Sequence, residues 1–344
     1  MSQTDLPTQD ALPPHAQLIQ LGTAAFVAKI LHLAAKLGLA DHLADGARSA
    51  ADLASTLGAH PDALQRFMRS LAGFGVLTEV DEGRYALTAL GRALQSDAPG
   101  CARSTLITLG GAAFSSAFEH LEHAVRTGET GFERAFGVPI FDYLACRPEE
   151  ARLFSETMVG FHGAEPPAVA EAYDFSTLRS IVDVGGATGN LLAAVLQCHA
   201  APRGVLFDRP HVVADAPALL AAHGVAERVA IESGDFFRSV PAGADAYLLS
   251  HIIHDWSEAR CLEILGRCRE AMAPDARLLI VEMVLPSGDT PHPGKLLDMV
   301  MLTVPGGRER TAREYVQLLE RARFRVERIV PTASPVSIVE AFPA

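Results

Sequence analysis

Apolar residues near the start of the chain recur at helical spacing. From Ala16 to about Leu39 they fall at Leu18, Leu21, Ala25, Val27, Ile30, Leu31, Ala34, Ala35 and Leu37, and Gly38 closes the run; the spacing predicts one long helix. Ser49 to Leu57 predicts a short helix, Gly58-Ala59-His60-Pro61 a turn, and Pro61 to Phe74 a second helix with proline at its start. Val76 to Val80, the turn Asp81-Glu82-Gly83 and Arg84 to Leu87 predict a small hairpin. Helix, turn, helix and hairpin in that order describe a winged-helix-like module. Residues 101–175 predict further helices. Beyond them, strand-like runs at 181–184, 204–207, 228–231, 244–250, 277–282, 324–330 and 336–341 alternate with helical ones, the pattern of a mostly parallel, Rossmann-like doubly wound α/β sheet.

Charge decides what such a winged helix is for. Between Arg48 and Arg92 the bases Arg48, Arg66, Arg69, Arg84 and Arg92 are balanced by Asp52, Asp62, Glu79, Asp81 and Glu82, and the wing tip is acidic. A reader of phosphate backbones needs a basic excess there, and the whole chain carries a formal net charge of -12. No nucleic-acid partner and no anionic membrane surface are expected. The Ala/Leu-rich first helix suits burial against a second subunit instead. At 344 residues and 49% hydrophobic content the chain is long enough for two domains. No uninterrupted apolar run approaches the ~20 residues that span a bilayer, and the longest candidate, Ala24 to Ala40, carries Lys29, His32 and Lys36. The polar stretch through Pro14 reads as a flexible arm and not a signal peptide, so a cytoplasmic address is expected. Cys101, Cys146, Cys198, Cys261 and Cys268 have neither C-x-x-C pairing nor zinc spacing and read as free thiols.

The densest chemical signal is Ile181-Val182-Asp183-Val184-Gly185-Gly186-Ala187-Thr188-Gly189-Asn190, an apolar strand that ends in an acid and runs into a glycine loop and an apolar helix. Glycines let backbone approach a ligand, and the amides at the helix start donate to it. A dinucleotide fingerprint fails at Ala187 and Asn190, and a Walker loop fails for want of a lysine. A nicotinamide dehydrogenase is therefore disfavoured. What remains looks like motif I of the class I S-adenosylmethionine-dependent methyltransferases. Asp208, at the end of the next strand, is placed to accept both ribose hydroxyls.

Past the fourth strand comes Ser250-His251-Ile252-Ile253-His254-Asp255-Trp256-Ser257. His251 and His254 admit two readings. As metal ligands they would need to converge, and no further ligand set at the right spacing supports them; no metal is expected. As an acid/base site, His254 lies beside the cofactor cleft, and an imidazole titrating near ~6.5 suits proton removal near neutrality. His251, in the strand itself, also fits a satisfied core histidine. Between residues 101 and 175, His120, His123, Phe132, Phe136, Phe141, Tyr143, Phe154, Met158, Phe161 and His162 are mostly core, a minority of them suited to a flat aromatic substrate.

Phe207-Asp208-Arg209-Pro210-His211-Val212, Gly234-Asp235-Phe236-Phe237, His254-Asp255-Trp256 and Gly306-Gly307-Arg308-Glu309-Arg310-Thr311 follow the glycine loop in turn. In order and approximate spacing the set resembles the caffeic acid/acetylserotonin-type small-molecule O-methyltransferases and their bacterial natural-product relatives, over nearly the whole chain. The resemblance implies S-adenosyl-L-methionine as cofactor, S-adenosyl-L-homocysteine as product, and a small hydroxylated aromatic metabolite as acceptor. It implies His254 as general base, flanked by Glu282 and Glu309. Cofactor contacts would come from Asp183, Gly185, Gly186, Asp208, Arg209, Asp235, Phe236, Ser250 and His251, and from Trp256, which covers the adenine or anchors the following helix. By the resemblance Phe154 and Met158 flank the substrate, with Phe161 and His162 beside them, and Asp298, Met299 and Leu302, at one-turn spacing on the helix before Glu309, are further pocket candidates. The implied organisation is an arm at 1–14, a winged-helix-like dimerisation domain at 15–100 that makes a homodimer, a helical linker and pocket region at 101–175, and a class I methyltransferase domain at 176–344. The chain departs from plant members at Ser250, His251, Phe161 and His162, where its adenine contacts and upper pocket must differ. Transfer to carbon or nitrogen on the same scaffold, and a cofactor-sensing winged-helix regulator without turnover, are the alternatives.

Overall fold

The structure is a computed structural model and describes residues 12–100 and 102–344. Cys101 and most of the expected N-terminal arm, residues 1–11, lie outside the described residues. The chain forms two compact units: one comprises the residues up to Ser115 together with Leu144–Phe161, the other Ser116–Tyr143 together with His162–Ala344. The helices between 101 and 175 thus fall partly in one unit and partly in the other.

In the first unit the long helix runs Pro14–Lys36 and stops short of Leu39. Gly38 adopts a left-handed φ of 61°, which breaks the helix before Leu39–His42 restarts it. Ser49 caps the helix Ala50–Leu57: its hydroxyl accepts the Asp52 N–H and the Asp52 carboxylate accepts the Ser49 N–H, a reciprocal arrangement that satisfies two orphan donors. The helix Pro61–Gly73 buries Leu64, Met68 and Leu71. The hairpin strands β2 (Leu77–Asp81) and β3 (Arg84–Leu87) are joined by a short strand not expected from the sequence, β1 (Arg48–Ser49), in the order β1-β3-β2. The outer surface of the long helix leaves Leu18, Ile19, Leu21 and Phe26 more than 60% exposed. By length and composition this helix, with mean hydropathy 1.6, is long and apolar enough to cross a membrane, where its sequence read as too interrupted.

The second unit is built on one sheet. Its parallel strands are β4 (Ser180–Val184), β5 (Arg203–Asp208), β6 (Val229–Ser233), β7 (Ala246–Ser250) and β8 (Arg277–Leu285). A two-residue strand, β9 (Arg310–Thr311), pairs with the end of β8, and the antiparallel β10 (Phe324–Pro331) and β11 (Val336–Pro343) complete the order β10-β11-β8-β7-β4-β5-β6. Period-two alternation divides the core. Ile181, Leu206, Leu248 and Leu279 pack on one face with the helix Asn190–Cys198. Val182, Phe207, Tyr247, Leu249 and Ile280 pack on the other with the helices Glu258–Ala271 and Ala312–Arg321. From β4 the chain adds β5 and β6 on one side and then β7 and β8 on the other, so the strand order reverses between β4 and β7, and the carboxyl ends of the strands there open a crevice where ligands bind in such sheets.

Candidate active site

At the end of β4, Asp183 is 1% exposed and neither of its carboxylate oxygens has a hydrogen-bond partner. Burial, followed by repulsion from Asp208, raises it to about 7. The loop after it is shaped for close approach. Gly185 has a φ of 73°, and a Cβ there would lie 2.5 Å from Ile252 Cδ1; a Cβ on Gly186 would lie 2.5 Å from Asp183 Cγ. Ala187 also takes a positive φ, 51°, and donates its N–H to Asp208 Oδ2 at 2.9 Å. Asp208 Oδ1 accepts the Arg209 N–H at 2.6 Å while the Arg209 residue itself is exposed. Burial raises the Asp208 carboxyl despite these two amides. Past β6, Asp235 caps its own turn through the Phe237 N–H at 2.9 Å, and Phe236 comes within 3.4 Å of the position a Gly185 Cβ would take.

His254 sits in the single turn Ile253–Asp255 after β7 and is 5% exposed. Its Nδ1 lies 2.6 Å from Glu309 Oε1. A carboxylate there fixes the tautomer with the proton on Nδ1 and leaves Nε2 for chemistry, with Asp255 Oδ1 3.6 Å from Nε2. Burial alone would lower the imidazole, but the carboxylates of Asp255, Glu309 and Glu282 overcome it and raise it to about 10. Asp255 is itself raised to about 6, mainly by burial.

Glu282 does not reach the ring's hydrogen-bonding atoms. Fully buried within β8, three residues before the strand ends, its Oε1 accepts the N–H groups of Ile253 at 2.6 Å and His254 at 3.1 Å, and its Oε2 accepts the Tyr315 hydroxyl. Of the two acids expected to flank the imidazole, Glu309 holds the ring and Glu282 holds the backbone beneath it. The Gly306–Arg310 run is clamped to the same turn. Arg308 N–H donates to His254 O at 2.8 Å, and the Arg310 guanidinium donates to Ile253 O at 3.2 Å. A Cβ on Gly307 would lie 1.8 Å from His254 O, so only glycine fits. Asp298, expected among the substrate contacts, accepts the Glu309 N–H at 2.9 Å and so anchors that acid. Met299 and Leu302 are half-buried on the same helix, Pro293–Thr303.

His251 follows Ser250 at the end of β7 with a φ of 53°. It does not converge with His254 on a common point: the ring centroids are 5.0 Å apart, and His251 Nε2 lies 2.7 Å from Glu165 Oε2. His162 Nδ1 meets the same oxygen at 3.0 Å, and the two rings stack at 3.7 Å. The lone tryptophan, Trp256, stacks on Phe141 at 5.4 Å and meets Phe237 edge-on at 4.8 Å, contacts that anchor the chain entering Glu258–Ala271. Phe154, Met158 and Phe161 lie on the helix Pro148–His162 within the other unit. Sequence reasoning missed Glu165, Tyr315 and Asp255. Only Glu165 carried a local signal, an acid followed by two prolines at a helix start.

Residues 118–325 match the O-methyltransferase domain family, and residues 19–97 match the O-methyltransferase dimerisation domain. The chain belongs to the O-methyltransferase family. It is 43% identical to the phenazine O-methyltransferase PhzM of Lysobacter antibioticus, over 97% of each chain. It is 42% identical to an O-demethylpuromycin-O-methyltransferase of Streptomyces alboniger, over 92% of this chain and 85% of that one. The solved structure of LaPhzM superposes with a TM-score of 0.92 at 43% identity, covering 97% of this chain and all of that one. An O-methyltransferase from neocarzinostatin biosynthesis, solved with S-adenosylmethionine and 2-hydroxy-5-methyl naphthoic acid, superposes with a TM-score of 0.81 at 33% identity, over 92% of this chain and 96% of that one.

The enzyme is thus an S-adenosylmethionine-dependent O-methyltransferase on a class I Rossmann-like core, with an N-terminal domain of the family's dimerisation type. The residues present fit that cofactor. Repulsion from Asp208 raises the buried Asp183, a strain that a positively charged sulfonium nucleoside relieves, and Gly185 and Gly186 leave the space a side chain would fill.

Proposed function

We propose that this O-methyltransferase methylates a phenolic hydroxyl of a small aromatic metabolite, without a metal ion, with His254 as the general base. The observation that carries the reading is the 2.6 Å contact between His254 Nδ1 and Glu309, which holds one ring proton on Nδ1 and leaves Nε2 of the buried ring as the nitrogen that exchanges a proton with the acceptor. When bound, S-adenosylmethionine supplies an electrophilic methyl on sulfonium sulfur. The protein's part is to hold the two reactants in line and to take one proton. A phenol titrating near ~10 is almost wholly protonated at neutrality and needs a base within hydrogen-bond reach. His254 accepts that proton at Nε2, and Glu309, already paired to Nδ1, balances the imidazolium that forms. Glu282, Arg308 and Arg310 hold the backbone of residues 253–254, so the ring keeps one position through the reaction.

In the same reading Asp208 accepts the ribose hydroxyls, its carboxylate pre-oriented by the Ala187 and Arg209 amides. Asp235 and Phe236 receive the adenine, and Gly185, Gly186 and Asp183 the methionine end. The exposed apolar face at Leu18, Ile19, Leu21 and Phe26 packs against a second copy, which makes the enzyme a homodimer and removes the need for a membrane to cover that helix. The same reading makes the enzyme a cytoplasmic one.

Two measurements test the reading. Incubation with S-adenosylmethionine and a panel of hydroxylated and aminated aromatics, followed by mass spectrometry, is expected to show a gain of one methyl on phenolic members. Methylation confined to amines or to carbon would overturn the choice of acceptor. Asp208→Ala is expected to weaken S-adenosylhomocysteine by about 100-fold in calorimetry, the loss of two charge-assisted hydrogen bonds of ~1.5 kcal/mol each. Unchanged affinity would remove Asp208 from the ribose.

A further inference from the structure

One cluster of ligating side chains takes no part in the proton transfer just described. His162 closes the helix Pro148–His162, Glu165 opens the helix Glu165–Ala172, and His251 comes from the end of β7, 86 residues beyond Glu165. Their ligand atoms, one from each residue, lie within 4.8 Å of one another. Glu165 is 6% exposed, and its Oε2 alone meets both His251 Nε2 at 2.7 Å and His162 Nδ1 at 3.0 Å. Gathering a carboxylate and two imidazoles out of water is costly unless something is gained by it, and methyl transfer uses none of the three in this way.

The donor set has a chemical preference. Two imidazole nitrogens and one carboxylate are the ligands of open zinc sites, with a fourth position left for water, whereas magnesium and calcium take oxygen ligands almost exclusively. The nitrogens that a metal would take are the ones now facing Glu165. Binding there moves each ring's proton to its other nitrogen, which in His251 is Nδ1, buried and without a hydrogen-bond partner. The left-handed backbone at His251, with its N–H donated to Val281 O at 3.1 Å, fixes the root of that ring.

We propose that His162, Glu165 and His251 form a binding site for a zinc-class divalent ion, held within the second unit and separate from the proton-transfer pair His254–Glu309.

The test uses the full-length protein, stripped of metal with chelator and dialysed, titrated with Zn²⁺ by calorimetry and with Co²⁺ by absorption. About one equivalent per chain is expected, with cobalt d–d bands and no thiolate-to-cobalt charge transfer, because no cysteine is in the set. Glu165→Gln keeps the shape and is expected to weaken either metal by at least about tenfold; His162→Ala is expected to do the same. Absence of saturable binding, a thiolate band, or equal affinity in both variants would overturn the site.

Discussion

His254→Ala is expected to bind S-adenosylhomocysteine as the unaltered enzyme does and to lose turnover by about 10²–10⁴-fold, the range for removal of a positioned general base. The separation of binding from rate follows from where the ring is held. Its nitrogens face Glu309 and Asp255, whereas the loop proposed to receive the cofactor is formed by Gly185–Ala187 and Asp208. Deleting the imidazole also leaves the Glu309 carboxylate, 3% exposed, without its partner, and breaking a buried pair in this way destabilises by about 3–5 kcal/mol. A thermal melt therefore belongs beside the kinetics, and His254→Gln, which keeps a hydrogen-bonding side chain next to Glu309, separates loss of fold from loss of base. If a folded His254→Ala protein turns over within a few-fold of the unaltered enzyme, His254 is not the base.

The site was legible in the sequence where chemistry follows from residue type and strand position, and illegible where it depends on which side chain reaches which atom. The end of β4, the glycine loop and the end of β5 read directly, because an acid that closes an apolar run and glycines that open a helix have few other uses. Glu282 and Glu309 read as equivalent, two acids near one imidazole. Their separation into a backbone clamp and a ring partner depends on β9, a two-residue strand too short to leave a periodic signal, which brings Glu309 alongside the end of β8. Asp298 looked like a pocket residue at helical spacing and instead fixes the Glu309 amide. Tyr315 was invisible for a different reason. It lies on an amphipathic helix where a tyrosine reads as core, and only the fold shows that its hydroxyl meets Glu282. Most of the fold depended on periodicity over long segments and was correspondingly plain, while the break at Gly38 and the strand Arg48–Ser49 turned on one or two residues each.

Glu309→Gln is expected to move the pH dependence of the enzyme and to lower its maximal rate together. Burial pulls the His254 imidazole down, and the carboxylates of Asp255, Glu309 and Glu282 more than reverse this, to about 10. The free enzyme at neutrality therefore carries an imidazolium, and the fraction able to accept a proton grows about tenfold per pH unit between roughly 7 and 9, while a phenolic acceptor near ~10 stays protonated. Over that interval kcat/KM is expected to rise with a slope close to one, its limiting values belonging to the His254–carboxylate group as a whole. Glutamine removes one negative charge and the charge-assisted hydrogen bond to Nδ1, so the imidazole falls toward its ordinary ~6.5 and the rising limb shifts to lower pH. The imidazolium formed in the reaction then lacks its counter-charge and its enforced tautomer, and the plateau is expected to drop by about 10²–10⁴-fold, as when the acid of a hydrolase triad becomes an amide. Stability carries the same sign. A raised folded-state value means that this group's stabilisation is fully present below the unfolded ~6.5 and is lost as pH climbs through about 10, so the stability difference between the unaltered protein and Glu309→Gln should narrow on the alkaline side. A wild-type profile flat from pH 7 to 9, or an acidic limb left in place by Glu309→Gln, would show that the carboxylate does not set the protonation of the base.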